Sequence, residues 1–133
     1  MSFDDIKEDM AFLESWEDRM GYIIDLGKAL PSLDPSEQND LTRVRGCASQ
    51  VWLVPEVADH AVSFRGGSDA MIVQGLIAVL LARINGHSPS EITEMDIKAD
   101  FEAIGLAQHL SGQRSNGLAS MIERVYQIVK QIQ

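Results

Sequence analysis

Apolar residues recur at helical spacing at both ends of this chain, and shorter strand-like runs lie between. Ser2 followed by Asp5 resembles a capping box, with Asp at the reaching-back position, and Ile6, Met10 and Leu13 then line one face of a short helix. Ser15 and Asp18 repeat that signature, and Trp16, Met20, Ile23, Ile24 and Leu30 form a second apolar stripe that Pro31 stops. Residues 31–42 are turn formers and predict a surface loop. Three strand-like runs follow: Arg43-Val44-Arg45, then Gln50 to Val54 ending at Pro55, then Ala61 to Arg65 closed by Gly66-Gly67.

The second half reads as helical. Ser68 or Asp69 is placed to cap an apolar helix from Ala70 to Ile84, which Asn85-Gly86 would end. Ser88-Pro89-Ser90-Glu91 joins a serine cap to proline at the first helical position and Glu at the third, predicting a short helix to Glu94. Another is expected around Lys98 to Ile104. Ser111 then opens the last long helix, with Leu118, Met121, Ile122, Val125, Val129 and Ile132 inward and Glu123, Gln127 and Lys130 outward. The order predicts an α+β fold in which helices cover one face of a small antiparallel sheet.

Composition narrows the setting. At 133 residues the chain is expected to form one domain, 1–133, burying roughly two thirds of the surface its unfolded form exposes. One cysteine cannot make an internal disulfide, and the acid-rich first thirty residues are the opposite of a signal or transit peptide. The apolar run is too short for a membrane span, which needs about 20 residues. The expectation is a cytoplasmic protein with no membrane partner. A net charge of −9, from 20 acids and 11 bases, repels phosphate backbones and argues against nucleic acid. It leaves open docking to a basic patch on another protein.

The single cysteine, Cys47, sits in Arg43-Val44-Arg45-Gly46-Cys47-Ala48-Ser49-Gln50-Val51-Trp52. Gly46 permits a sharp turn, including positive φ, and places Cys47 at the turn between the first two strands. The arginines on its N-terminal side would favour the thiolate. A lone intracellular cysteine is more often a small buried hydrophobe, and on residue chemistry the two readings stand level.

Other chemistry is thinner. Cys47, His60, His87 and His109 are the candidate metal ligands, but no ligand-spaced motif joins them, so no metal site is expected. A Cys–His nucleophilic enzyme would use His109 as base, against a histidine that only hydrogen-bonds a loop or helix end. Arg114 lies in the first turn of the last helix, where a cation is slightly unfavourable. A partner such as Asp69, or an anion, would account for it; so would simple solvation. No phosphate-binding or dinucleotide motif is present, and no cofactor is expected.

The run Arg45-Gly46-Cys47-Ala48-Ser49-Gln50-Val51-Trp52 resembles the signature of the SufE family, the sulfur-acceptor proteins of iron–sulfur cluster assembly. Trp16 to Gly27 resembles the family's early helix and Gly67 to Leu76 its central one. Leu106 to Ser111 and Arg114 to Leu118 resemble the entry to its last helix. The likeness runs in order from residue 12 to 130. Two departures are visible: Ala48 where the family often has glutamine, and Gly112 where it often has proline.

The resemblance implies a SufE/IscU-like fold and a sulfur carrier for a pyridoxal-phosphate (PLP) cysteine desulfurase of the SufS type. Cys47 would take the persulfide sulfur and pass it to a SufBCD-type scaffold. That is a transpersulfuration half-reaction, sulfurtransferase-like rather than a stand-alone enzyme. Having one cysteine favours a carrier, because a second nearby would resolve the persulfide as a disulfide. Arg45, Gly46, Asp69, His109 and Arg114 match motif positions as supporting residues. The family often shelters this cysteine in the free protein, which implies loop movement on docking. The rivals are a CsdE-like paralogue feeding another pathway, and a non-catalytic adaptor with Cys47 inert. Monomer and homodimer stay open.

Overall fold

The first two helices begin as their sequences specify. In α1 (Phe3–Phe12) the Ser2 hydroxyl accepts the Asp5 N–H at 3.1 Å and the Asp5 carboxylate accepts the Ser2 N–H at 3.2 Å. In α2 (Trp16–Lys28) the Ser15 hydroxyl accepts the Asp18 N–H at 3.1 Å. Each bond satisfies a donor that a helix start would otherwise leave orphaned. Ile6 and Met10, four residues apart, are the buried face of α1. This computed structural model describes residues 2–106, 108 and 110–132.

The apolar helix α3 (Met71–Ile84) is the centre of the molecule, and nine of its residues are buried, so it is covered on more than one side. Among the described residues, no helix is long and apolar enough to cross a membrane. Helix α2 packs on α3 through two glycines. A Cβ on Gly75 would stand 2.3 Å from the Ile23 carbonyl oxygen, and one on Gly27 would stand 2.6 Å from the Gly75 nitrogen. The two backbones touch, and only glycine fits at either position.

The sheet is smaller than expected and its strands are longer. It has two antiparallel strands, β1 (Val51–Ala58) and β2 (Ala61–Ser68), registered from Val51 opposite Ser68 to Ala58 opposite Ala61. Arg43-Val44-Arg45 is not a full strand: it reaches β1 through one bridge between Arg43 and Trp52, with Val44 N–H donating to Val51 O at 2.8 Å. Pro55 does not end β1. It faces Phe64, whose backbone N–H and C=O both turn away from β1 to the side chain of Asn85, at 2.8 and 3.0 Å. At such a pair the N–H that proline lacks would point off the ladder, so no bond is lost. Gly66-Gly67 likewise continue β2 rather than close it; a Cβ on Gly66 would meet Ile77 at 2.8 Å, so α3 lies close over the sheet there. The hairpin turns at Asp59 and His60, both at positive φ, as the favoured two-residue turn requires.

Val51, Leu53, Val62 and Phe64 alternate onto the buried face. Helices on that face and an α+β architecture are what the sequence predicts. Two details of α3 differ. Its N-cap is Ala70, with no side-chain cap, because the Ser68 and Asp69 side chains are engaged elsewhere: the Ser68 hydroxyl accepts the Ala70 N–H at 3.2 Å, and the Asp69 carboxylate accepts the Gln50 N–H. At the other end Gly86 holds φ +86, as a terminator should, while the preceding Asn85 also serves the sheet edge.

Helix α4 (Pro89–Glu94) carries the full Ser88/Glu91 capping box, and α5 (Ile97–Ala103) starts one residue earlier than expected on an Asp96 cap. Helix α6 (Gly112–Ile132) buries Gly117, Leu118, Met121, Ile122, Val125, Ile128 and Val129. The Tyr126 hydroxyl donates to Met95 O at 2.5 Å and accepts from Ile97 N–H at 3.3 Å, fastening α6 to the α4–α5 junction. The N-terminal half of α6 then lies beside the segment that carries Cys47.

Candidate functional site

Cys47 is set on the link between the Arg43 bridge and β1, and that link lies across α6. Gly46 holds φ +87, and a Cβ there would stand 2.5 Å from the Ser120 hydroxyl. The turn thus needs glycine twice, for conformation and for space. The Ser120 hydroxyl donates to Gly46 O at 3.5 Å, and the Cys47 thiol donates to Gly117 O at 3.5 Å. Gly117 and Ser120 are three residues apart, so they share a face of α6 and receive neighbouring parts of the link.

The other end of the link is held by Asp69. Its carboxylate accepts the Gln50 N–H at 3.0 Å, and its own N–H donates to Gln50 O at 3.4 Å. This reciprocal pair joins the Cys47 segment to the start of α3. Asp69 is thus committed to the backbone, and no ion pair between it and Arg114 is present.

The half-buried thiol opens onto a cavity of about 330 Å³. Its floor is apolar, from Ile72, Val73 and Leu76 of α3 and Leu118 and Met121 of α6. Ser49, Ser111, Gln113 and Arg114 supply the polar lining, with Arg114 exposed in the first turn of α6. Burial pushes the Cys47 pKa up, and the positive charge of Arg43 lowers it by less. The expectation that flanking arginines favour the thiolate is therefore corrected for the resting protein. Desolvation disfavours the charged sulfur, and only one of the two arginines acts on it. At neutral pH the resting sulfur is a thiol.

Arg45 is exposed and lines a separate groove on the other side of the link. His109 lies outside the described residues. His60 sits exposed in the hairpin turn, and His87 packs its ring nitrogen against Ile84 O at 3.2 Å. Among the described residues no three His, Cys, Asp or Glu side chains converge as a metal site would require.

The sequence thus brings Cys47, Gly46, Asp69 and Arg114 to one place and puts Arg45 at its edge. It did not point to Gly117 or Ser120.

A family model described as "SufE: Fe-S metabolism associated domain" matches residues 4–129. An uncharacterized SufE-like protein of Rhizobium meliloti is 49% identical over 128 residues, covering 93% of this chain and 91% of that one. A second, from Rhizobium etli, is 47% identical over 133 residues, covering 97% and 90%. Among solved structures, a hypothetical protein from Thermus thermophilus superposes with TM-score 0.78 at 20% identity, over 98% of this chain and 97% of that one. At that identity the likeness is one of fold.

Proposed function

This chain belongs to the SufE family, a family of Fe–S metabolism, and from that premise we propose that Cys47 accepts sulfur from the persulfide of a SufS-type PLP cysteine desulfurase. The observation that carries the reading is positional: the chain's one cysteine stands on the wall of a cavity, on a link held at both ends by side-chain hydrogen bonds.

The reaction is an exchange. The Cys47 sulfur, having lost its proton, attacks the outer sulfur of the donor's Cys–S–SH. A new S–S bond forms on Cys47 as the donor's S–S bond breaks, and the donor cysteine leaves as the thiolate and takes up a proton. One S–S bond replaces another, so no oxidant or reductant is consumed. Because the resting sulfur is a half-buried thiol, docking has to expose it or supply a base. Release of the Gly46–Ser120 and Cys47–Gly117 contacts is the shortest route to exposure. Arg114, exposed on the lining of the same cavity, would balance the charge of the bound persulfide. The sulfur then passes by a second exchange to a SufBCD-type scaffold; a CsdE-like paralogue would differ only in the recipient.

Intact mass after incubation with free cysteine and a SufS-type desulfurase, without reductant, tests the proposal. Whole-sulfur increments are expected that dithiothreitol removes and that Cys47→Ser lacks. A half-buried, protonated thiol also suits an adaptor with inert Cys47. Absence of the increment from folded protein, or full desulfurase activation by Cys47→Ser, would establish that second reading.

A further inference from the structure

The arginines of this chain divide by what they bind. Of the seven in the sequence, Arg19 donates to Leu13 O at 2.8 Å, Arg65 is held by Glu37 and Glu56, and Arg83 by Asp100 at 2.7 Å. The other four, Arg43, Arg45, Arg114 and Arg124, have no hydrogen-bonded or ion-paired side-chain partner among the described residues. All four line the two hollows that flank the Gly46–Cys47 link. Three of them, Arg43, Arg45 and Arg124, border the groove of about 690 Å³ between residues 40–45 and α6. Leu41, 86% exposed, borders it as well.

Two carboxylates share this groove, Asp40 and Glu123, and neither pairs with its guanidinium groups. On a chain of net charge −9, three unpaired arginines against two acids reverse the local sign. A guanidinium fork matches a carboxylate in a two-point bond. The two resident acids and the exposed leucine fit a dense phosphate backbone poorly. They fit a segment that alternates carboxylates with an apolar side chain.

We propose that this groove receives an acidic segment of the sulfur-donating protein, its carboxylates on Arg45 and Arg124 and an apolar side chain against Leu41. The inference rests on the sulfur-acceptor reading for the identity of the donor. The groove adjoins the Gly46–Ser120 contact, so a segment seated there holds the donor beside the link that carries Cys47.

The test uses the full chain with a SufS-type cysteine desulfurase as probe, and Arg45→Glu/Arg124→Glu as the variant. The half-saturating concentration for persulfide loading is expected to rise about tenfold, with the plateau at saturation retained. Raising NaCl from about 50 to about 500 mM should weaken the wild type and leave the variant nearly unchanged. Arg45→Lys/Arg124→Lys should restore the salt dependence and recover only part of the loss, since lysine keeps the charge but not the two-point bond; a folding defect would restore neither. Half-saturation and salt dependence like the wild type's would overturn the proposal. Direct titration of the desulfurase against Cys47→Ser, with and without the two charge reversals, separates the premises. Charge-dependent binding without loading would support the groove and sink the acceptor role. Loading with charge-independent binding would do the reverse.

Discussion

Among the contacts that glycine makes between distant parts of this chain, two are of opposite kinds. At the α2–α3 seam, Gly27 and Gly75 let two backbones touch within a buried interface, and a single added methyl would overlap backbone atoms at 2.3 and 2.6 Å. At the Cys47 link, Gly46 lets the chain lie on α6, but what holds it there is one hydroxyl and one thiol, each at 3.5 Å from a carbonyl. The first contact leaves no room for a side chain. The second is long and half exposed, held by two bonds at 3.5 Å. The proposed sulfur acceptor, Cys47, sits on the second kind of contact.

The largest effect should come from breaking the seam. Gly75→Ala forces the new methyl into the Ile23 carbonyl and should cost about 3 kcal/mol in denaturant unfolding. An unchanged midpoint would mean that the helices can separate without penalty, and the contrast with the link would fall. Asp69→Ala removes the acceptor of the Gln50 N–H, and should cost about 1 kcal/mol while raising the iodoacetamide reaction rate of Cys47 severalfold. A rate no higher than the wild type's would show that Asp69 does not restrain the link.

Titration gives a third comparison. The folded Cys47 pKa lies above the unfolded one, so the thiol's contribution to stability is complete below the unfolded value, about 8.5, and is lost as pH rises through the folded value. Stability should therefore fall in that window, and Cys47→Ser should flatten the fall. Arg43→Ala, by removing the one cation that opposes burial, should push the pKa higher and slow alkylation at neutral pH. Faster alkylation would show that Arg43 instead shields the sulfur. The smallest effect belongs to Ser120→Ala. Its 3.5 Å bond predicts a stability loss of less than about 0.5 kcal/mol and a rate increase smaller than that of Asp69→Ala.

Much of the fold was legible because its signals are local. The capping boxes at Ser2 and Ser88 use bonds that span three residues, and the stripe of α6 needs only one helix to be read. The errors fall where a residue is claimed from a distance. Pro55 reads as a strand end until Asn85 takes the outward bonds of its partner Phe64, and Asp69 reads as a helix cap until Gln50 takes its carboxylate. Within the site, the glycine before Cys47 and the nearby arginines were visible as neighbours in sequence. The half-buried state of the sulfur was not, because that depends on Gly117, seventy residues away.

What the sequence determined by itself is the order and type of the helices, the freedom for positive φ at Gly46, and the place of the lone thiol ahead of β1. These follow from short-range sterics, capping and periodicity, which act before the chain is folded. Only the tertiary structure decided that burial outweighs Arg43 at the thiol and that Arg43 and Arg45 play different parts. It also decided that the unpaired arginines collect around one link. Desolvation and ion pairing depend on which surfaces meet, and that is settled when α6 closes over the Cys47 segment.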